Sequence, residues 1–225
     1  MITVFTSCYN QSEFLGEAIE SVLAQTNKDF EYLLYDDGSE DNTWNVIKKY
    51  AASDPRIKAV KLEKQPCLSC VINRSVKDAA GKYWVWAPAD DTLEPGLLYY
   101  KAKMAERFPD DVIYSWGKII GTEQERMKID CTPEEFREIV KTKSPIGFTG
   151  IWIPTNTLRL LPFPENVRYV EDFCWMLLAC KLGVSFRAVP QFLYWKRKWA
   201  NSSSFKLAHE IHKEVDEVRE MVAAL

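Results

Sequence analysis

FEYLLYDDGS, residues 30–39, decides how this chain is read. Tyr32–Tyr35 is an apolar run with no polar interruption, and it ends on two adjacent carboxylates and a turn. A strand that is apolar on successive residues is buried on both faces, as strands of a parallel sheet are. Asp36-Asp37-Gly38-Ser39 also suits a plain turn and helix cap, since Asp, Gly and Ser favour turns. The same grammar returns in YWVWAPADD, residues 83–91, where Tyr83–Ala87 is apolar throughout and Asp90-Asp91 follows. Carboxylates crowded at the carboxyl ends of buried strands repel one another. That costs stability unless a cation or a ligand offsets it, so the pattern marks a site.

Outward from these two runs, strand alternates with helix. Ile2–Thr6 reads as a strand. Ser12 can cap a helix to about Gln25, whose Leu15, Ala18, Ile19, Val22 and Leu23 share a face. Asp41 or Asn42 caps a helix to about Ala51, Ile57–Leu62 is a strand, and a helix from about Leu68 to Ala80 stops at Gly81. Pro95 opens a helix to about Phe108, and Val112–Trp116 is a strand. This order predicts an α/β protein with a doubly wound, mostly parallel sheet and helices on both faces.

The second half is less regular. Thr132-Pro133-Glu134-Glu135 carries a capping box with proline at the first helical position, and the helix runs to about Lys141. The stretch 144–170, with prolines at 145, 154, 162 and 164, reads as loops with one or two short strands. Tyr169–Leu182 reads as a helix behind Glu171-Asp172, Val184–Val189 and Phe192–Trp195 as strands, and Lys196–Ser204 as a basic loop. Phe205–Ala224 places Leu207, Ile211, Val215, Val218 and Val222 at helical spacing. This terminal helix packs on the body or on a second copy of the chain. Its Glu210, Glu214, Asp216, Glu217 and Glu220 disfavour an anionic bilayer.

Composition narrows the function. There are 29 basic and 32 acidic residues, which gives no electrostatic footprint for nucleic acid. No stretch approaches the roughly 18 apolar residues of a membrane span, and nothing at the start resembles a signal peptide. The 9 glycines include no GxG pair, against a dinucleotide site or a phosphate-binding P-loop. The 6 cysteines fall mostly among apolar neighbours, as reduced thiols of an intracellular protein do. Cys67 and Cys70 form a lone CxxC without the second pair that a zinc site needs. In a doubly wound sheet, ligands bind beyond the carboxyl ends of the strands. Ser7-Cys8-Tyr9-Asn10, Asp36-Asp37 and Asp90-Asp91 fall there, and Asp90-Asp91 suits a divalent cation that neutralises phosphates.

TSCYN, FEYLLYDDGSEDNT, INRSVKDAAGKYWVWAPADD and YVEDFCW, in this order and spacing, resemble a family 2 glycosyltransferase over residues 2 to about 204. The resemblance implies the GT-A (nucleotide-diphospho-sugar transferase) fold, a small mixed second sheet and the C-terminal helix. It implies a nucleotide-sugar-binding half at 1–116, an acceptor and catalytic half at 117–204, and the helix at 205–225. Ser7 and Tyr9 would line the nucleotide pocket, Asp37 would bond the base with Asp36 in support, and Asn73 would brace the DxD-type loop. Asp90 would hold the ribose, and Asp91 would bind Mg²⁺ or Mn²⁺. Asp172, with Glu171 beside it, would be the catalytic base of an inverting transfer. The implied donor is a UDP-sugar and the acceptor a glycan or lipid-linked glycan, as in surface polysaccharide or lipopolysaccharide synthesis. The implied location is the cytoplasm, with peripheral membrane contact left open.

Two departures from the family pattern stand out. Pro88-Ala89-Asp90-Asp91 lacks the first acid of DxDD. Lys198 stands where the family often has a His that completes the metal shell, and a protonated amine cannot ligate a metal. Lys196 or Lys198 would then bind diphosphate directly. Trp152 and Trp199 are candidates for an acceptor platform. A non-catalytic nucleotide-sugar-binding module is one rival reading. A sugar nucleotidyltransferase is the other, though TSCYNQSEF lacks its glycine-rich basic loop.

Overall fold

The protein is described by a computed structural model for residues 1–120, 126–199 and 208–224. Its first half alternates as the periodicity predicts: β1 (Ile2–Cys8), α1 (Ser12–Leu23), β2 (Phe30–Asp37), α2 (Thr43–Ser53), β3 (Ile57–Leu62), α3 (Leu68–Asp78), β4 (Tyr83–Trp86), β5 (Thr92–Leu93) and α4 (Leu97–Arg107). The second half holds β6 (Val112–Ile119), β7 (Arg126–Met127), α5 (Pro133–Val140), β8 (Trp152–Pro154), α6 (Thr155–Leu160), α7 (Glu171–Lys181), β9 (Phe186–Lys196) and α8 (Ala208–Ala224).

All of the described strands join one sheet, ordered β3-β2-β1-β4-β8-β6-β9-β5, with β7 on β6. The expected second sheet is therefore not separate. β8 runs antiparallel to both β4 and β6 and welds the parallel half to the mixed half. On β2, Tyr32 and Leu34 enter one apolar cluster, while Leu33 and Tyr35 enter the other. This is the period of two expected of a strand. Val4 and Val85 share the first cluster with Leu15, Ile19 and Ile47 of α1 and α2. Phe5 and Trp84 share the second with Phe163, Phe173 and Trp175. Each such fully buried aliphatic side chain contributes about 1.5–3 kcal/mol.

Several local expectations are corrected. Ser12 does not cap α1 through its own side chain; its hydroxyl donates to Asp41 Oδ2 at 2.7 Å instead. Val184–Val189 and Phe192–Trp195 are one strand, β9, with register shifts against β6. The shifts take up Pro190, which has no N–H to give to a ladder. A short helix, α6, occupies part of the stretch read as loops; six residues carry too little periodicity to show it. Cys67 and Cys70 are paired as a disulfide at the start of α3, not reduced, while Cys8, Cys131, Cys174 and Cys180 are free.

Candidate functional site

The carboxyl ends of β1, β2 and β4 open on one rim, because these strands are parallel neighbours in register: Cys8 lies opposite Asp36, and Phe5 opposite Trp86. Ser7 is half-buried and Tyr9 is 44% exposed just beyond β1. Asn10 follows with φ of +52°, a left-handed conformation that Asn tolerates better than most residues. Its Oδ1 accepts from Glu40 N at 2.9 Å, and its own N–H donates to Ser39 Oγ at 3.0 Å. Asn10 thereby clamps the turn after β2. Asp41 does the same between helices, accepting from Ser12 N at 3.1 Å and Thr43 N at 2.9 Å. Burial works to raise its pKa, but the bonds from Thr43 and Ser12 outweigh that and hold it low.

Asp36 and Asp37 are both buried. Asp36 Oδ1 accepts from Ser39 N at 3.0 Å, while its buried Oδ2 has no partner. Asp37 Oδ1 accepts from Gln65 N at 2.8 Å, and Oδ2 pairs with the Lys64 ammonium. That ammonium lies 4.0 Å from the centre of the Tyr9 ring. Tyr9, Asp37 and Lys64 thus form one aromatic and charged cluster on the rim. Lys64 carried no motif; only the parallel pairing of β2 with β3 brings it there.

Asp90-Asp91 lies across the rim, between β4 and β5. β5 pairs antiparallel with the end of β9, Thr92 opposite Trp195, so the chain beyond β9 runs back over the two acids. Arg197 makes close contacts with both acids. Its backbone N–H donates to Asp91 Oδ1 at 2.8 Å, its Nε to Asp90 O at 3.1 Å, and its guanidinium pairs with Glu17 of α1 at 2.6 Å. Trp199 Nε1 donates to Asp90 Oδ2 at 3.0 Å, and its ring packs edge-on against Phe14 at 5.1 Å. Thr149 Oγ1 donates to Asp91 Oδ2 at 2.5 Å. Burial, then the Asp90 charge, push the Asp91 pKa up to about 6, against the pull of Thr149, the Arg197 N–H and Lys196.

Glu171 and Asp172 open α7, and Asp172 Oδ1 accepts from Phe173 N at 2.7 Å. Burial raises the Asp172 pKa, opposed by that bond and by the Lys196 charge. Burial, then Asp172 and Glu214, push Glu171 up to about 8. Lys196, half-buried at the end of β9, acts electrostatically on both Asp91 and Asp172. The Lys196 charge thus opposes the upward shift at both acidic motifs, which lie some eighty residues apart in the chain. Lys198 is exposed, and the remainder of the basic loop, from residue 200, lies outside the described residues.

Other expected contributors stand elsewhere. Asn73 braces the Phe163–Glu165 turn rather than the Asp90-Asp91 loop: its side chain bonds Phe163 O and N at 2.9 Å each and Glu165 Oε1 at 3.0 Å. Trp152 is buried against Tyr83, with ring centres 4.8 Å apart, and offers no platform to an acceptor. Sequence reading missed Thr149, Lys64 and the main chain of Arg197. The first two sit in no motif, and the third was masked by lysines on either side.

Among the described residues no three His, Cys, Asp or Glu side chains converge as a preformed cation cage, and no helix is long and apolar enough to cross a membrane. Asp90 and Asp91 nevertheless fit a Mg²⁺ or Mn²⁺ ion carried in with a diphosphate. Such ions take one or two carboxylates and fill the other positions with phosphate oxygen and water. Burial first and the Asp90 charge second raise the Asp91 pKa, and a cation would offset the second of these.

A glycosyl transferase family 2 profile matches residues 3–178. An uncharacterized glycosyltransferase of Methanocaldococcus jannaschii is 28% identical over 201 residues, 86% of this chain and 69% of its own length. A Bacillus subtilis relative, EpsJ, is 24% identical over 90% of this chain and 62% of its own. A Rickettsia felis relative is 29% identical over 81% of this chain, which spans only 31% of it. Among solved structures, S. aureus TarS in complex with UDP-GlcNAc superimposes with a TM-score of 0.74 at 19% identity, over 95% of this chain and 66% of that one. A mannosyltransferase of Pyrobaculum calidifontis, in complex with GDP-Man and Mn²⁺, gives 0.71 at 17%, over 94% and 60%. The likeness to these structures shows the GT-A fold. With the profile covering most of its length, the chain belongs to glycosyl transferase family 2.

Proposed function

We propose that the protein transfers a sugar from a nucleoside-diphosphate donor, a UDP-sugar, to a hydroxyl of a glycan or lipid-linked glycan in surface polysaccharide or lipopolysaccharide synthesis. The observation that carries this reading is the shared rim: Tyr9 and Asp37 stand beyond the carboxyl ends of the parallel neighbours β1 and β2, and Asp90-Asp91 follows β4 beside them under the backbone of Arg197. In this reading Tyr9 and Ser7 line the base pocket, Asp37 accepts from the base imide, and Asp36 shapes the turn that presents it. Asp90 faces the ribose, and Lys196 and Lys198 meet the diphosphate. Residues 1–116 form the donor half, 117–204 the acceptor half and 205–225 a terminal segment whose described part, Ala208–Ala224, is helical. The UDP-GlcNAc complex of the similar TarS supports a UDP-sugar, and the GDP-Man complex of the mannosyltransferase is the competing donor class.

Asp91 would hold a bound Mg²⁺ or Mn²⁺, which would supply Lewis-acid stabilisation of charge on the departing diphosphate. Asp172 takes the acceptor proton as the hydroxyl oxygen bonds the anomeric carbon. The bond to the diphosphate breaks, and its electron pair leaves with the diphosphate. A base whose pKa is raised by burial suits this task near neutral pH. Attack from the face opposite the leaving group inverts the anomeric configuration, and no covalent sugar–enzyme intermediate is needed.

A thermal-shift screen of UDP- and GDP-sugars, with and without Mn²⁺, tests the donor assignment. Stabilisation by UDP-sugars above that by GDP-sugars, enhanced by Mn²⁺, is expected. Indifference to every nucleotide sugar would remove the reading.

A further inference from the structure

We propose that Glu214, on the C-terminal helix, is the positioning residue for the segment that carries Asp172. The inference rests on the reading above that Asp172 receives the acceptor proton. Glu214 Oε1 accepts from Arg168 N at 2.8 Å, and Oε2 accepts from Tyr169 N at 2.6 Å and Val170 N at 3.1 Å. These are the three residues directly before Glu171, the first residue of α7. The helix has no side-chain cap of its own at Val170. Glu214 therefore accepts, from more than forty residues away, the backbone N–H groups of the N-cap residue Val170 and of the two residues that lead into it. Its negative charge also sits near the positive end of the α7 dipole.

Glu214 is held in place by its own helix. Val218 and Val222 of α8 are buried in the same cluster as Phe173, Cys174 and Leu177 of α7. Lys181 Nζ, at the far end of α7, donates to Val222 O at 2.7 Å. The pair α7–α8 is thus fastened by apolar contact along its length and by Glu214 at the end nearest Asp172. Asp172 Oδ1 is bound to Phe173 N, so the place where α7 begins fixes where that carboxylate stands. A displacement of about 1 Å at a reacting group can cost on the order of 100-fold in rate.

The test compares Glu214→Ala and Glu214→Gln with Glu217→Ala, an exposed acid of α8 paired to Lys213. Gln keeps the shape but turns an NH₂ group toward N–H donors, so at least one of the three bonds is lost. Amide hydrogen exchange at 168–170 and steady-state kinetics are measured on the full chain. Both Glu214 variants are expected to speed exchange at 168–170. They should lower kcat by about 10- to 100-fold and leave the donor KM within about twofold. Glu217→Ala should change none of these. Unaltered exchange at 168–170, or a kcat within about twofold of the parent, overturns the inference. So does a kcat and KM loss in step, which marks general damage. If Glu214→Ala fails to fold, Glu214→Gln decides. If the parent chain turns over no nucleotide sugar, the functional reading fails, and the ordering role of Glu214 stands or falls on exchange alone.

Discussion

Two acids on β2 show how a single side chain announces its role. Glu31 is buried and saturated: Thr3 Oγ1 at 2.6 Å, Ala80 N at 2.7 Å and Lys58 at 2.6 Å all donate to it. Burial would raise its pKa, but those bonds from Lys58, Thr3 and Ala80 prevail and hold it low, so it is a structural tie. Asp36, at the other end of the strand, is as buried yet leaves Oδ2 without a partner. An unpaired buried acceptor costs about 1–3 kcal/mol, and such groups gather where a ligand binds. Asp172 is the residue on which turnover depends in the proposed reaction. Asp172→Asn keeps the shape and removes the base, so kcat should drop by about 10²–10⁴ while nucleotide affinity, read by calorimetry, holds. Full activity in that variant takes Asp172 out of the mechanism. Asp91→Ala should weaken donor binding in Mn²⁺ more than in chelator, because the side chain's proposed work is done through the ion; equal losses in both media count against a metal role.

At the scale of elements, the helix signals in the sequence vary in strength. The capping box of α5 is complete: Thr132 Oγ1 accepts from Glu135 N at 3.2 Å, and Glu135 Oε2 accepts from Thr132 N at 2.8 Å. Thr132→Ala should destabilise the protein by about 1 kcal/mol in urea titration, with little effect on turnover. The start of α7 carries no comparable signal, because its partner lies on α8. β6 and β9 show a further limit. Gly117 faces Tyr194 where their register shifts, and a Cβ there would sit 2.2 Å from the ring. Tyr194 is buried, so Gly117→Ala should push its ring against the packing around it, lower the melting temperature and, through β9, loosen Arg197 over Asp91. A variant that melts with the parent would show that β9 yields more easily than its packing implies.

For the whole molecule, the buried acids make stability depend on pH. Glu171 binds its proton more tightly in the folded chain than in the unfolded one, its pKa being raised from 4.5 to about 8 by burial first and Asp172 next. Its contribution is complete below the unfolded value and is lost as pH climbs through the folded one. The melting temperature should therefore fall between pH 5 and pH 8, and Glu171→Gln, neutral throughout, should flatten that fall. The difference at the alkaline end should be on the order of a few kcal/mol. A parallel pair of pH profiles would show that Glu171 titrates as in water.

The sequence by itself determined the parallel half of the sheet and the rim on which Asp36-Asp37 and Asp90-Asp91 stand. Strand periodicity and turn chemistry are local, and parallel strands place their carboxyl ends, with the acids that follow them, on one side. Only the tertiary structure decided what those acids meet. Thr149 on Asp91, Lys64 on Asp37, Arg197 over the acidic pair and Glu214 on the Arg168–Val170 backbone are contacts between residues far apart in the chain. The pairing of β2 with β3 and of β5 with β9, the β8 weld and the docking of α8 on α7 create them. No window of neighbouring residues contains that information, because the free energy that selects those pairings comes from burying the two faces of one continuous sheet at once.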